Sequence, residues 1–138
     1  MKIVTVAVAV AAVAVLSLAF VKYAIYECAG FFVPSQIGKT VVITGGNSGL
    51  GYHSALSLAG AGAMVVLATR NLDNGEQAKK KILAQYPQAD IRVGQLDLAS
   101  FDSVRKFASF VATAIGSRKI DVLMNNAAVM ALPNRYNS

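Results

Sequence analysis

Residues 40–51, TVVITGGNSGLG, join five β-branched residues to a cluster of glycines at positions 45, 46, 49 and 51. A run of β-branched residues is typical of a buried strand, and the residues after the glycines have helical character. A strand that enters a helix through a glycine-rich turn brings backbone N–H groups and the positive end of the helix dipole to one point. The stretch therefore predicts a phosphate site at the start of the first helix.

The spacing of the glycines gives each a separate role. Gly45 permits the sharp turn off the strand, Gly49 lets the backbone approach a pyrophosphate, and Gly51 lets the helix pack tightly on the sheet. The phosphate-binding loop of nucleoside triphosphatases needs Lys followed by Ser or Thr after its last glycine. Here Tyr52 and His53 follow, so phosphoryl transfer by that mechanism is excluded.

The rest of the chain alternates strand and helix patterns. Apolar runs occupy 63–68, 90–96 and 120–124, and helical patterns cover 49–61 and 72–86. A third helix carries one apolar face, formed by Val104, Phe107, Ala108, Val111 and Ile115. This alternation predicts βαβ units, and hence an α/β fold that is the N-terminal portion of a doubly wound parallel sheet.

Charged side chains follow the second and third predicted strands. Arg70 comes about 20 residues after the glycine turn, where an acidic residue would bind the ribose of NAD and an arginine can neutralise the 2′-phosphate of NADP. An ordinary exposed arginine is the alternative. Asp97 closes the third strand, where it can accept a hydrogen bond from an adenine amino group or cap a turn. Arg70 favours NADP as the cofactor.

The N-terminus is strongly apolar. Residues 3–21 carry no charge, and a helix of that length would reach about 28 Å, close to the hydrocarbon thickness of a bilayer. The alternatives are a cleavable signal peptide, with small residues at 17–19, and a buried helix of a soluble domain. We assign residues 1–22 to a transmembrane anchor, 23–38 to a membrane-proximal linker and 39–138 to an incomplete NADP-binding domain.

Composition narrows the function classes. With 55% hydrophobic and 14% charged residues, the 138-residue chain is not disordered. Its net charge of +6 suggests an anionic partner, but the one basic run, residues 79–81, has no interleaved aromatics, so we expect no nucleic-acid partner. A lone Cys28 and a lone His53 predict neither an internal disulfide nor a metal site.

Four motifs, each at the end of a successive predicted strand, resemble those of the short-chain dehydrogenase/reductase family. They are Thr44-Gly45-Gly46-Asn47-Ser48-Gly49-Leu50-Gly51, Arg70-Asn71, Asp97-Leu98 and Asn125-Asn126-Ala127-Ala128. Within the family the chain is most similar to membrane-anchored, NADP-preferring, retinol dehydrogenase-like members. The resemblance covers about residues 39–133 and implies a Rossmann fold that follows one N-terminal transmembrane helix.

The resemblance also implies the cofactor-binding residues. These are Gly45, Asn47, Ser48, Gly49, Leu50 and Gly51 for the pyrophosphate, Arg70 for the 2′-phosphate, Asp97 and Leu98 for the adenine, and Asn125 and Ala127 at the sheet edge beside the ribose. Ala128 stands where many family members have glycine.

Catalytic residues of the family do not occur in the sequence. Its members transfer hydride with the help of a serine and a Tyr-x-x-x-Lys pair, and no tyrosine here is followed by lysine four positions later. We therefore expect a partial, inactive copy of an NADP(H)-dependent alcohol/carbonyl oxidoreductase, single-pass in the endoplasmic reticulum or another intracellular membrane, that lacks its C-terminal half or forms an oligomer. The alternative is a non-catalytic, membrane-tethered nucleotide-binding or interaction module.

Overall fold

The structure, a computed structural model, describes residues 16–18, 21 and 33–128. The chain divides into two compact units, residues 1–32 and 33–138. The predicted anchor lies almost wholly outside the described residues, and none of the helices described is long and apolar enough to cross a membrane. Residues 33–38, which the sequence assigned to the linker, belong to the second unit.

The second unit is a four-stranded parallel sheet with helices on both faces. Its elements are β1 (Thr40–Thr44), α1 (Gly49–Gly60), β2 (Met64–Thr69), α2 (Leu72–Gln85), β3 (Ile91–Gln95), α3 (Phe101–Ile115) and β4 (Val122–Met124). The strand order is β3-β2-β1-β4, so the chain first builds the sheet outward from β1 and then crosses back to its other side. The predicted parallel α/β fold is confirmed.

The two central strands are buried on both faces, which explains why their sequences read as continuous apolar runs. On one face, Val41 and Leu67 pack against small and branched residues of α1 and α2, among them Ala55 and Ile82. On the other face, the core joins strand residues to α3: Val42, Val66, Ala68, Leu96, Phe107 and Val111. Alanines on α1 let that helix lie close to the sheet.

The buried face of α3 differs from the predicted one. Phe107 and Val111 are buried as expected and Ile115 is half-buried, whereas Ala108 is exposed and Val104 is 37% exposed. Gly94 on β3 lies under this helix: a Cβ atom there would lie 2.5 Å from the ring of Phe110 and 2.7 Å from that of Phe107. Both rings therefore occupy the space above this glycine, and a side chain at position 94 would displace them.

Candidate functional site

The carboxyl ends of β1, β2 and β3 open onto a cleft of about 700 Å³. The cleft lies where the strand order changes direction, between the β1–α1 turn and the loops after β2, β3 and β4. Open α/β sheets bind ligands at this point because the loops diverge there. The lining residues are Thr44, Gly45, Asn47, Ser48, Ala68, Thr69, Arg70, Leu96, Asp97, Leu98, Ala99, Asn126, Ala127 and Ala128.

Most of the residues predicted to bind a cofactor line this cleft. They are Gly45, Asn47, Ser48, Arg70, Asp97, Leu98 and Ala127. Gly49, Leu50, Gly51 and Asn125 do not line it. Gly49 and Leu50 are exposed in the first turn of α1, Gly51 is buried below that turn, and Asn125 is exposed after β4.

The glycine turn is held tightly against the loop after β4. Gly45 has a φ of +67°, a conformation that favours glycine, and its N–H donates to the carbonyl of Ala68 at 2.8 Å. At Gly51, a Cβ atom would lie 2.5 Å from both the Gly45 carbonyl oxygen and Asn126 Nδ2. No side chain fits there, so Gly51 fixes how closely α1 approaches the β4 loop.

Helix α1 begins without a side-chain cap. Ser48 is its N-cap residue but its side chain makes no capping hydrogen bond, and the first turn carries no acidic residue. In contrast, Asn71 and Ser100 cap α2 and α3 by accepting from the N–H groups of Asn74 (3.2 Å) and Ser103 (3.3 Å). The uncapped N–H groups and the positive dipole end of α1 therefore suit an anionic ligand.

Arg70 is held by its backbone and leaves its charge exposed. Gln95 Nε2 donates to the Arg70 carbonyl oxygen at 3.3 Å, and Thr69 Oγ1 donates to the Asn71 carbonyl oxygen at 3.0 Å. These bonds position the loop after β2 at the cleft wall. Within 33–128 no carboxylate forms a salt bridge with the guanidinium. An exposed, uncompensated cation is thus available to an anionic group in the cleft.

Asp97 forms a turn at the far end of the cleft. Its N–H donates to Ser103 Oγ at 2.9 Å, and its Oδ1 accepts from the Ala99 N–H at 3.0 Å. The turn-capping role is thereby present. Oδ2 has no hydrogen-bond partner in the described part of the chain, and Asp97 lines the cleft together with Leu98, which is 58% exposed. This end of the cleft offers one acceptor next to an apolar surface.

Two residues of the quoted motifs, Thr44 and Asn126, organise the site through hydrogen bonds that the sequence did not predict. Thr44 Oγ1 accepts from the N–H groups of Asn126 (3.0 Å) and Ala127 (2.9 Å) and donates to the Met124 carbonyl. Asn126 Nδ2 donates to the carbonyls of Thr44 (3.0 Å) and Gly45 (3.3 Å). These bonds tie the ends of β1 and β4 together. The motif Asn125-Asn126 signalled the position, but not which of the two asparagines faces inward.

A parallel α/β sheet with an uncapped helix, a free arginine and a cleft at the change of strand direction has the architecture of a nucleotide-binding protein. Residues 39–137 match the short chain dehydrogenase family model. The chain belongs to this family, and it is similar to retinol dehydrogenases.

Known relatives agree with this assignment. Retinol dehydrogenase 13 of Mus musculus is 42% identical over 109 residues, which cover 77% of this chain and 32% of the relative. Retinol dehydrogenase 12 of Mus musculus is 42% identical over 97 residues, 70% of this chain and 30% of the relative. The crystal structure of a metagenomic short-chain oxidoreductase in complex with NADP has a TM-score of 0.60 and 33% identity, covering 67% of this chain and 40% of that chain. The chain spans about a third of the length of the two dehydrogenases.

Proposed function

We propose that this chain is the NADP(H)-binding part of a membrane-anchored oxidoreductase of the alcohol/carbonyl, retinol dehydrogenase-like type. The observation that carries the proposal is the cleft, which combines an uncapped helix N-terminus with an unpaired arginine. The NADP complex of a similar structure supports the choice of ligand. We place the protein in the endoplasmic reticulum or another intracellular membrane, through residues 3–21.

The pyrophosphate would occupy the glycine turn. The first N–H groups of α1 and the loop residues Asn47 and Ser48 surround this position, and Gly49, with a φ of +54°, has no atom within 4 Å of the place where its Cβ would lie. The open space above Gly49 lets a bulky anion reach the backbone. The helix dipole and the N–H groups together would balance the two phosphate charges.

The 2′-phosphate would lie against Arg70. A guanidinium binds phosphate through two parallel N–H···O bonds, and here no nearby carboxylate competes for it. The only acid close in sequence, Asp73, lies in the first turn of α2. An acid at position 70 would instead accept from a ribose hydroxyl and repel the phosphate. Arg70 therefore favours NADP over NAD.

The adenine would lie between Leu98 and Asp97. Leu98 would offer its exposed apolar side chain to one face of the ring, and Asp97, which lines the cleft, would accept from the adenine amino group. Asp97 Oδ1 already accepts from the Ala99 N–H at 3.0 Å, so Oδ2 would be the acceptor for the amino group. Asn125 and Ala127 would lie at the sheet edge beside the ribose.

When bound, NADPH supplies the hydride for carbonyl reduction. The 138 residues would hold and orient this cofactor, but they contain no Tyr-x-x-x-Lys pair to transfer the accompanying proton. We therefore expect the chain by itself to bind NADPH without turnover, and the activity to belong to a longer protein of the family. Tight binding together with an independent role in the membrane would favour the alternative of a non-catalytic nucleotide-binding module.

Calorimetric titration of the full chain in detergent tests the proposal. We expect NADPH to bind more tightly than NADH, and Arg70→Asp to weaken NADPH binding by about 10- to 100-fold, the loss of a charge-assisted bond of roughly 1.5–3 kcal/mol. NADH affinity should change much less. Lys80→Asp makes the same charge change at an exposed site on α2 and should leave both affinities unaltered. Equal affinity for the two cofactors in the unmodified chain would refute the assignment of Arg70.

A further inference from the structure

Two residues, Arg70 and Asn71, connect β2 to α2. The chain is fixed on both sides of this connection, because the Leu96 N–H donates to the Thr69 carbonyl at 2.8 Å and the Asn71 side chain caps α2. Helix α2 also packs closely on the sheet: a Cβ atom at Gly75 would lie 2.6 Å from Thr69 Cγ2. The connection is therefore short and is held at both ends.

Two side chains hold the carbonyl groups of this connection. Thr69 Oγ1 donates to the Asn71 carbonyl oxygen at 3.0 Å, and Gln95 Nε2 donates to the Arg70 carbonyl oxygen at 3.3 Å. Thr69 is buried and belongs to β2 itself, whereas Gln95 comes from the neighbouring strand β3, where it lies in register with Thr69. The main chain of Arg70 is thus tied to β3 by the side chain of Gln95.

The hydrogen bond from Gln95 lies at the surface of the molecule. Gln95 and Arg70 are both exposed, so water can satisfy the amide and the carbonyl when they are apart. Such a bond adds little to the free energy of folding, because it replaces bonds to water. Most substitutions at exposed positions of this kind have small effects on stability. The main consequence of the bond is therefore the position of the Arg70 main chain.

The chemistry of the glutamine side chain also suits a phosphate site. Its amide donates to the Arg70 carbonyl without carrying a charge, whereas an ionised glutamate at position 95 could not donate and would bring a carboxylate beside Arg70. At the other end of β3, Arg92 Nε and Asp90 Oδ1 form such an arginine–carboxylate pair at 3.0 Å. No carboxylate of the described residues forms one with Arg70. Gln95 therefore holds the arginine without competing for its charge.

We propose that Gln95 is a positioning residue for the 2′-phosphate site. By holding the Arg70 carbonyl, it fixes the main chain of a residue that lines the cleft. An arginine whose main chain is already fixed loses less freedom when it binds phosphate. This role rests on the proposed function, since it requires the 2′-phosphate of NADP to bind at Arg70. NAD carries no such phosphate, so Gln95 contributes to the preference for NADP and not to binding of the rest of the cofactor.

Titration of the full chain in detergent with NADP⁺ and NAD⁺, which differ only by the 2′-phosphate, tests this role. Gln95→Met keeps the length of the side chain and removes the donor. We expect it to weaken NADP⁺ binding by about threefold to tenfold, the effect of one hydrogen bond, and to change NAD⁺ binding by less than about twofold. Gln95→Glu should weaken NADP⁺ binding further, because its carboxylate would pair with Arg70. Gln88→Met makes the same substitution at an exposed position before β3 and should leave both affinities unaltered.

A double-mutant cycle distinguishes positioning of Arg70 from a general structural role. If Gln95 acts through Arg70, Gln95→Met should have no further effect on NADP⁺ binding in the Arg70→Ala variant, where the guanidinium is absent. The urea midpoint of Gln95→Met without cofactor should match that of the unmodified chain, because the lost bond is exposed. Effects of the two substitutions that add independently, or equal losses of NADP⁺ and NAD⁺ affinity in Gln95→Met, would overturn the positioning role.

The same titrations separate failure of the positioning role from failure of the proposed function. If the unmodified chain prefers NADP⁺ and Gln95→Met retains the whole preference, the positioning role is wrong and the proposed cofactor site stands. If the unmodified chain binds NADP⁺ and NAD⁺ equally, or binds neither, the assignment of Arg70 is wrong and so is the positioning role that depends on it.

Discussion

The side chain of Asn126 connects the loop after β4 to the glycine turn. Its amide donates to two successive carbonyls, those of Thr44 and Gly45, at 3.0 and 3.3 Å. Both acceptors lie at the point where β1 ends, and the absence of a side chain on Gly51 leaves room for the amide. The geometry of the turn therefore depends on this residue, although it would contribute no charge to a ligand.

Replacement of the two neighbouring asparagines should have very different effects. Asn126→Ala leaves the half-buried carbonyls of Thr44 and Gly45 without their donor, and we expect a loss of about 1–3 kcal/mol in the free energy of unfolding. Asn125→Ala, at an exposed position, should cost less than about 0.5 kcal/mol. Urea denaturation of both variants measures this difference. An equal loss in the two would mean that the hydrogen bonds of Asn126 do not stabilise the turn.

The sequence located this position but could not choose between the two asparagines. Motif and strand pattern placed both after β4, and the choice depends on the register of β4 on β1, which pairs Met124 with Ile43. Register is set by long-range pairing, so it is not visible in the local pattern. The glycine positions were easier to interpret, because a glycine-rich turn between a strand and a helix has few other uses.

Two helices of this fold have side-chain caps that stabilise them, whereas the helix at the cleft has none. Asn71 and Ser100 satisfy N–H groups at the starts of α2 and α3, whereas the side chain of Ser48 caps nothing at the start of α1. Capping residues stabilise a helix because they replace water at otherwise unpaired donors. An uncapped start costs stability in the free protein and leaves donors for a ligand.

Alanine replacements should distinguish the two capping residues from Ser48. Ser100→Ala and Asn71→Ala should each lower the free energy of unfolding by about 1 kcal/mol. Ser48→Ala should change it by less than about 0.5 kcal/mol, since no cap bond is lost. Denaturation curves measured without cofactor provide the comparison. A loss for Ser48→Ala as large as that for Ser100→Ala would show that Ser48 caps α1 in solution.

The elements themselves were largely predictable, whereas their packing was less so. Strand and helix bounds agree within about two residues with the pattern of apolar runs and breakers, because β-branched runs and helical periodicity are local signals. The packing of Phe107 and Phe110 over Gly94 was not predictable, because it joins residues of two elements that are distant in sequence. The helical and strand periodicities of the sequence describe one element at a time, so they do not reveal a contact between two elements.

One edge of the sheet differs from the rest of the molecule. β4 pairs with β1 on one side, and within residues 33–128 no strand pairs with its other side. Val122 and Leu123 are 42% and 57% exposed. Leu123 shares the register of the buried Val42, on the face where α3 packs chiefly over β3. An apolar strand edge with unpaired backbone groups invites association with a second chain.

A charge at this edge should therefore reduce self-association of the 138-residue chain. We expect Leu123→Lys to increase the monomer fraction, because a lysine on an edge strand must lose its hydration when another strand pairs there. Sedimentation velocity in density-matched detergent measures the distribution. Phe101→Lys removes a more exposed apolar side chain, 82% against 57%, at a helix start away from β4, and should leave the distribution unchanged. If both substitutions raise the monomer fraction equally, association depends on general surface hydrophobicity. If neither substitution raises it, the β4 edge does not mediate association.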